Sequence, residues 1–115
     1  MKIVSIKGTN LDLTDAIKDY VNKKLDAIEK LTSHFEPMAE ISVEIGRTSA
    51  HHNKGDVQRA EMNLQVPGGL LRSECTANDL YEAIDLCKDD IVRQLKEYKD
   101  MHQERERGGQ RPDKM

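Results

Sequence analysis

Val57-Gln58-Arg59-Ala60-Glu61-Met62-Asn63-Leu64-Gln65-Val66 is followed by Pro67-Gly68-Gly69 and then Leu70-Leu71-Arg72-Ser73-Glu74-Cys75-Thr76. The first half alternates, with Val57, Arg59, Glu61, Asn63 and Gln65 on one side and Ala60, Met62, Leu64 and Val66 on the other. That is the period of a strand with one buried face. Pro67-Gly68-Gly69 supplies a tight reversal. The second arm then sets Leu71, Ser73 and Cys75 against Leu70, Arg72, Glu74 and Thr76. A hairpin that is apolar on one side and charged on the other belongs to a sheet with one wet face, so other elements must cover the apolar face.

Those covering elements lie on both sides of the hairpin. Upstream, Leu13, Ile17, Tyr20, Val21, Ile28 and Leu31 recur at three- and four-residue steps, which predicts an amphipathic helix over 13–32 opened by Thr14-Asp15. Downstream, Leu80, Ile84, Cys87, Ile91, Leu95 and Tyr98 form a second helical stripe to about residue 102, with Asn78 as the expected N-cap. Lys2 to Lys7 reads as a short strand ending at Gly8, with Val4 and Ile6 on one face and Ile3 apart. Ile41-Ser42-Val43-Glu44-Ile45 predicts another over 39–46, after Pro37. Thr48 to Asp56, which contains His51-His52-Asn53-Lys54-Gly55, is polar and is expected to be an exposed loop. The expected order is βαβββα, an α+β domain with two helices packed on one face of a four-stranded sheet. Residues 1–102 would form that domain. Residues 103–115, with Gly108-Gly109 and Pro112 and no apolar residue before Met115, are expected to be a flexible charged tail.

The chain has 115 residues, which holds one hydrophobic core and argues against separate cofactor and substrate domains. Three Tyr, one Phe and no Trp leave too few rings for an aromatic stacking platform. Lys and Arg number 18 and Asp and Glu 21, a net charge of −3, so bulk electrostatics argue against a nucleic-acid partner. Net charge does not say where the bases sit, however, and charges farther apart than about 8–10 Å are largely screened in physiological salt. At 100° per residue, Lys23, Lys24 and Lys30 fall on one flank of the first helix beside Ala16 and Ala27, with Asp15, Asp19 and Asp26 farther out. Lys88, Lys96 and Lys99 share a flank of the last helix with Val92, and Arg93 lies further round. Helices packed side by side would join the two flanks. The plain alternative is that these lysines only solvate helix borders, their stems lying over the core. The acidic first half and basic second half of the last helix also suit the helix dipole without any functional cause.

Signals for chemistry are absent from the sequence. His51 and His52 are adjacent in a polar loop and lack the i,i+4 spacing of a helical zinc site, while His34 and His102 fall near the ends of different helices. Cys75 and Cys87 are expected to be buried free thiols, not a disulfide or a metal pair. No phosphate-binding glycine loop, nucleophile elbow or paired-carboxylate motif occurs, so no catalytic residue, metal, cofactor or small-molecule substrate is expected. The N-terminus lacks a signal-peptide core of about 7–15 apolar residues. No apolar run approaches the roughly 18 residues of a membrane span, so a cytoplasmic protein with no membrane partner is expected.

Asp79-Leu80-Tyr81-Glu82-Ala83-Ile84-Asp85, continued by Arg93-Gln94-Leu95-Lys96 and Tyr98-Lys99, resembles the last helix of the ribosome hibernation-promoting factor family, also called ribosome-associated translation inhibitors. Thr14-Asp15-Ala16-Ile17, Lys24-Leu25, Glu29-Lys30, Gly55-Asp56-Val57, Arg59-Ala60-Glu61 and Pro67-Gly68-Gly69 match in register over roughly 1–102. The family's fold is similar to that of double-stranded RNA-binding domains. The resemblance implies a factor that occupies the messenger and transfer RNA channel of the small ribosomal subunit near the decoding centre. It would inhibit translation by occupancy, without chemistry, and preserve idle ribosomes under stress.

The resemblance also implies a basic two-helix surface facing ribosomal RNA. Its matching positions are Lys24, Lys30, Arg93, Lys96 and Lys99, with Lys23 and Lys88 beside them. Recognition would then be of RNA shape and phosphate. The chain departs from the family at Ala27, Asp90 and Glu97, where bases are common, which implies weaker salt-dependent affinity. Its length resembles the short forms, which lack the ribosome-pairing domain, and a monomer off the ribosome is expected. The rival readings are a module for another structured RNA or a protein partner on the same scaffold, and a small enzyme or metal protein using His51, His52, Cys75 or Cys87.

Overall fold

The computed structural model describes residues 1–49 and 56–110; the expected loop at His51-His52-Asn53-Lys54-Gly55 and the chain beyond 110 lie outside the described residues. The elements run β1 (Lys2–Thr9), α1 (Asp15–Thr32), β2 (Glu40–Ser49), β3 (Asp56–Val66), β4 (Gly69–Ala77) and α2 (Leu80–Gln110), the βαβββα order of an α+β fold. The sheet is ordered β1-β2-β3-β4. β1 lies parallel to β2 across the α1 crossover, and the other two pairs are antiparallel.

Register explains the core. Ile41 pairs with Leu64, Val43 with Met62 and Ile45 with Ala60, so alternation in β2 and β3 puts six apolar side chains on one face. All six are buried, with Val21, Leu25 and Ile28 of α1 and Ile84, Cys87, Ile91 and Leu95 of α2 closing over them. Both helices therefore cover the same side of the sheet. Val66 pairs with Gly69 across a two-residue turn in which Gly68 has φ +78°, the left-handed geometry that a type II turn requires after Pro67. Thr14 caps α1, its hydroxyl oxygen accepting from the Ile17 amide at 3.2 Å.

Four local expectations change. The hairpin of β2 and β3 is longer than its apolar alternation, because Arg47, Thr48 and Ser49 continue the ladder opposite Gln58, Val57 and Asp56. In β1 the register shifts between Ile3 and Ser5, so Ile3 pairs with Ile41 and Ile6 with Val43. Val4 is the extra residue of a bulge. Ile3, not Val4, thus shares the face of Ile6, since a bulge resets the parity on which a period-2 reading depends. The cap of α2 is Asp79 and not Asn78: the Asp79 carbonyl accepts the first helical bond, from the Ala83 amide at 3.0 Å. Finally, α2 continues past residue 102 to Gln110; Gln103-Glu104-Arg105-Glu106-Arg107 are residue types of good helix propensity that need no apolar stripe.

Candidate nucleic-acid interface

The two helices lie side by side and run in the same direction, because contacts tie both their amino-terminal and their carboxyl-terminal halves. At one end the Tyr20 hydroxyl donates to Asp85 Oδ1 at 2.7 Å and Lys24 Nζ approaches the same oxygen at 3.3 Å. The Tyr20 and Tyr81 rings meet edge to face there, 4.7 Å apart, and Lys24 Nζ stands 5.0 Å from the Tyr20 ring centre. At the other end Lys99 Nζ donates to the Leu31 carbonyl at 3.0 Å, satisfying an acceptor in the last turn of α1. The flanks that carry the lysines are joined by this seam.

The seven cations predicted from sequence divide by what holds them. Lys24 is half-buried and engaged with Asp85, whose hydrogen bond raises the pKa of the ammonium; the same carboxylate raises that of the Tyr20 phenol. Lys99 is engaged with a carbonyl, and Lys88 reaches Asp89 at 2.9 Å. Arg93 is clamped on its own helix by Asp90 at 2.6 Å and Glu97 at 3.0 Å. Its guanidinium in turn holds the Asp90 carboxyl below the usual range. Lys23, Lys30 and Lys96 are exposed, and none has an ion pair or a side-chain hydrogen bond among the described residues. Lys23 and Lys30, two turns apart, stand on one side of α1 roughly 10 Å from each other along the axis.

Two of the three departures from the family pattern, Asp90 and Glu97, are the residues that clamp Arg93. The face is therefore positive at Lys23, Lys30 and Lys96, with Lys24 and Lys99 held in the seam and Lys88 paired with Asp89. Free ammonium groups on a convex helix pair suit contact with phosphates, which is a matter of charge and shape more than of base identity.

On the opposite face of the sheet, a charged cluster on β3 and β4 neutralises itself. Glu61 pairs directly with Glu74 across β3 and β4, a repulsive arrangement relieved by two arginines. Arg59 bonds Glu61 at 2.7 Å and also Glu74, and Arg72 bonds Glu61 at 2.9 Å and Glu74 at 3.4 Å. Burial pushes the Glu61 carboxyl up, but donors on Asn63, Arg59 and Arg72 outweigh it and leave the pKa lowered.

Nothing near the core offers a nucleophile at Cys87, whose thiol burial pushes up to about 11, so it stays protonated at neutral pH. Cys87 Sγ donates to the Ser73 carbonyl at 3.4 Å; Cys75 is also free and is half-buried, not fully buried as expected. Among the described residues no three His, Cys, Asp or Glu side chains gather as a metal site, and no helix is long and apolar enough to cross a membrane. His51 and His52 lie outside the described residues.

Asp85, Tyr20 and Phe35 carry no sequence signal of their roles, because each acts through a partner far along the chain. Phe35 packs edge to face on Tyr98 at 5.8 Å. The one available signal was the Tyr98-to-His102 spacing of four, which stacks two rings on one helix face.

The model of the family described as sigma 54 modulation protein / S30EA ribosomal protein matches residues 4–103. The chain is similar to a protein of Azotobacter vinelandii named ribosome hibernation promoting factor, 35% identical over 109 residues that cover 95% of this chain and 92% of that one. It is also 30% identical, over 110 residues and 95% of its length, to a Deinococcus radiodurans protein named ribosome hibernation promotion factor, of which it spans about half, 55%. Among solved structures, the Protein Y N-terminal domain of Thermus thermophilus superposes with a TM-score of 0.66 at 36% identity, covering 85% of this chain and 99% of that one.

Proposed function

The chain belongs to the sigma 54 modulation protein / S30EA ribosomal protein family, and on that premise we propose that it is a hibernation factor that binds the ribosome by occupancy, without catalysis. Its seat is the small subunit, in the channel of messenger and transfer RNA near the decoding centre, and its partner there is ribosomal RNA. Bound in that channel it inhibits translation and preserves idle ribosomes in the cytoplasm. The names of the relatives support the ribosome as partner and hibernation as the outcome.

The observation that carries the choice of surface is the set of exposed ammonium ions Lys23, Lys30 and Lys96, without an ion pair among the described residues, on a helix pair whose seam holds Lys24 and Lys99. Arg93 adds charge at the margin and must leave Asp90 and Glu97, or share them, to touch phosphate. Binding of this kind releases counterions and weakens steeply with salt.

Sedimentation with purified small subunits at low salt tests the reading. The protein is expected to travel with the subunits and to be excluded when transfer RNA fills the channel first. Failure to co-sediment contradicts it, and binding indifferent to transfer RNA moves the seat outside the channel.

A further inference from the structure

The carboxyl-terminal end of α1, the stretch of α2 from Lys96 to His102 and Pro67 of the β3–β4 turn line a groove of about 550 Å³, within the range of small-molecule sites. Its floor is apolar, from Leu31 and Pro67. Its wall is a run of rings in which His34 meets Phe35 at 5.2 Å, Phe35 meets Tyr98 at 5.8 Å and Tyr98 meets His102 at 5.3 Å. The Tyr98 hydroxyl donates to the Pro67 carbonyl, which fixes the ring without a ligand. Composition made a stacking platform look excluded, and the sheet carries none, but two of the four aromatic residues gather here with two histidines.

The rim is mixed in charge. Lys96 has no partner among the described residues, and Lys99 engages only a carbonyl and the Phe35 ring, 6.0 Å away. Glu36 and Asp100 also line the groove. A bare anion would meet both acids as repulsion. An apolar ligand would leave four charged groups unused. A nucleotide uses all of them: its base against the rings, its phosphate on the lysines, and its amino or ribose hydroxyl donors toward the carboxylates.

We infer that this groove binds a single nucleotide, with an unstacked base and its ribose 5′-phosphate. The nucleotide is either one extruded from structured RNA or a free nucleoside monophosphate. In the first case the groove rests on the proposed ribosomal reading and adds one base-stacking contact to a surface otherwise limited to phosphate. In the second it is independent of that reading.

Titration of the full isotope-labelled chain with adenosine 5′-monophosphate, adenosine and inorganic phosphate, followed by NMR, tests the site. The monophosphate is expected to shift residues 31–36 and 96–102 selectively, with adenosine and phosphate each at least tenfold weaker. The pair His34→Ala with His102→Ala, both exposed positions, should weaken the monophosphate at least fivefold with an unchanged circular dichroism spectrum. Phosphate matching the monophosphate, or shifts spread over both helices, overturns the inference. Parallel loss of small-subunit binding in the pair identifies RNA as the source, and unchanged binding identifies the free nucleotide. Selective shifts in a protein that fails to co-sediment with subunits leave the groove standing and remove the ribosomal reading. Co-sedimentation without shifts does the reverse.

Discussion

On the open face of the sheet, Arg59 and Arg72 are held between Glu61 and Glu74 across β3 and β4, whereas on the helix pair Lys23, Lys30 and Lys96 meet no acid among the described residues. Both groups carry cations. The two arginines are already neutralised, and the three lysines are not. The difference shows why a net charge of −3 carries so little information: the field a phosphate meets depends on which cations are already neutralised within a few ångströms.

The largest break in this contrast is charge reversal on the helix pair. Lys23→Glu, Lys30→Glu and Lys96→Glu together should weaken small-subunit binding at least a hundredfold, about 2.8 kcal/mol, in a sedimentation titration, with the circular dichroism spectrum unchanged. The sheet face should respond in stability instead. Glu61→Gln removes a carboxylate whose pKa is lowered in the fold, so its stabilisation is present above the ordinary glutamate value and lost as pH falls through the folded one. Denaturant titration should show the variant about 1 kcal/mol less stable at pH 7. That gap should close below about pH 4, and affinity for the small subunit should stay within twofold.

Within the helix face the ranking follows from the partners. Lys96→Ala should cost roughly five- to tenfold in binding, and Arg93→Ala less than threefold, since Arg93 is already clamped by Asp90 and Glu97. One further effect has the opposite sign. Asp85→Asn releases Lys24 from its carboxylate while leaving an oxygen for the Tyr20 hydroxyl, and should tighten binding two- to threefold with a steeper dependence on salt.

The parts of the fold that were legible are those governed by local periodicity. Ala60, Met62, Leu64 and Val66 alternate, and Ile84, Cys87, Ile91 and Leu95 follow the helical stripe; all are buried. Two errors in the elements have local causes that periodicity does not encode, the bulge at Val4 and the cap at Asp79. For the candidate site, helical projection placed the lysine flanks, and contacts across the helix pair hold Lys24 and Lys99. The projection did not show which lysines are engaged, because Asp85 is remote from Lys24 in sequence and the acceptor for Lys99 is the backbone of Leu31. The convergence of Phe35, Tyr98 and His102 depends on the end of α1 meeting the middle of α2 beside the β3–β4 turn, a tertiary fact with no pattern in either helix alone.

The most direct test of the claim that unpartnered helix lysines reach RNA phosphate is the salt dependence of small-subunit affinity in the wild type and in Lys23→Ala, Lys30→Ala, Lys96→Ala. Three phosphate contacts contribute a slope of about −2 to −3 in log K against log salt. The triple variant is predicted to lose that much of the slope, while Arg59→Ala with Arg72→Ala on the sheet leaves it unchanged. A wild-type affinity insensitive to salt, or an equal loss of slope in the sheet variant, contradicts the account.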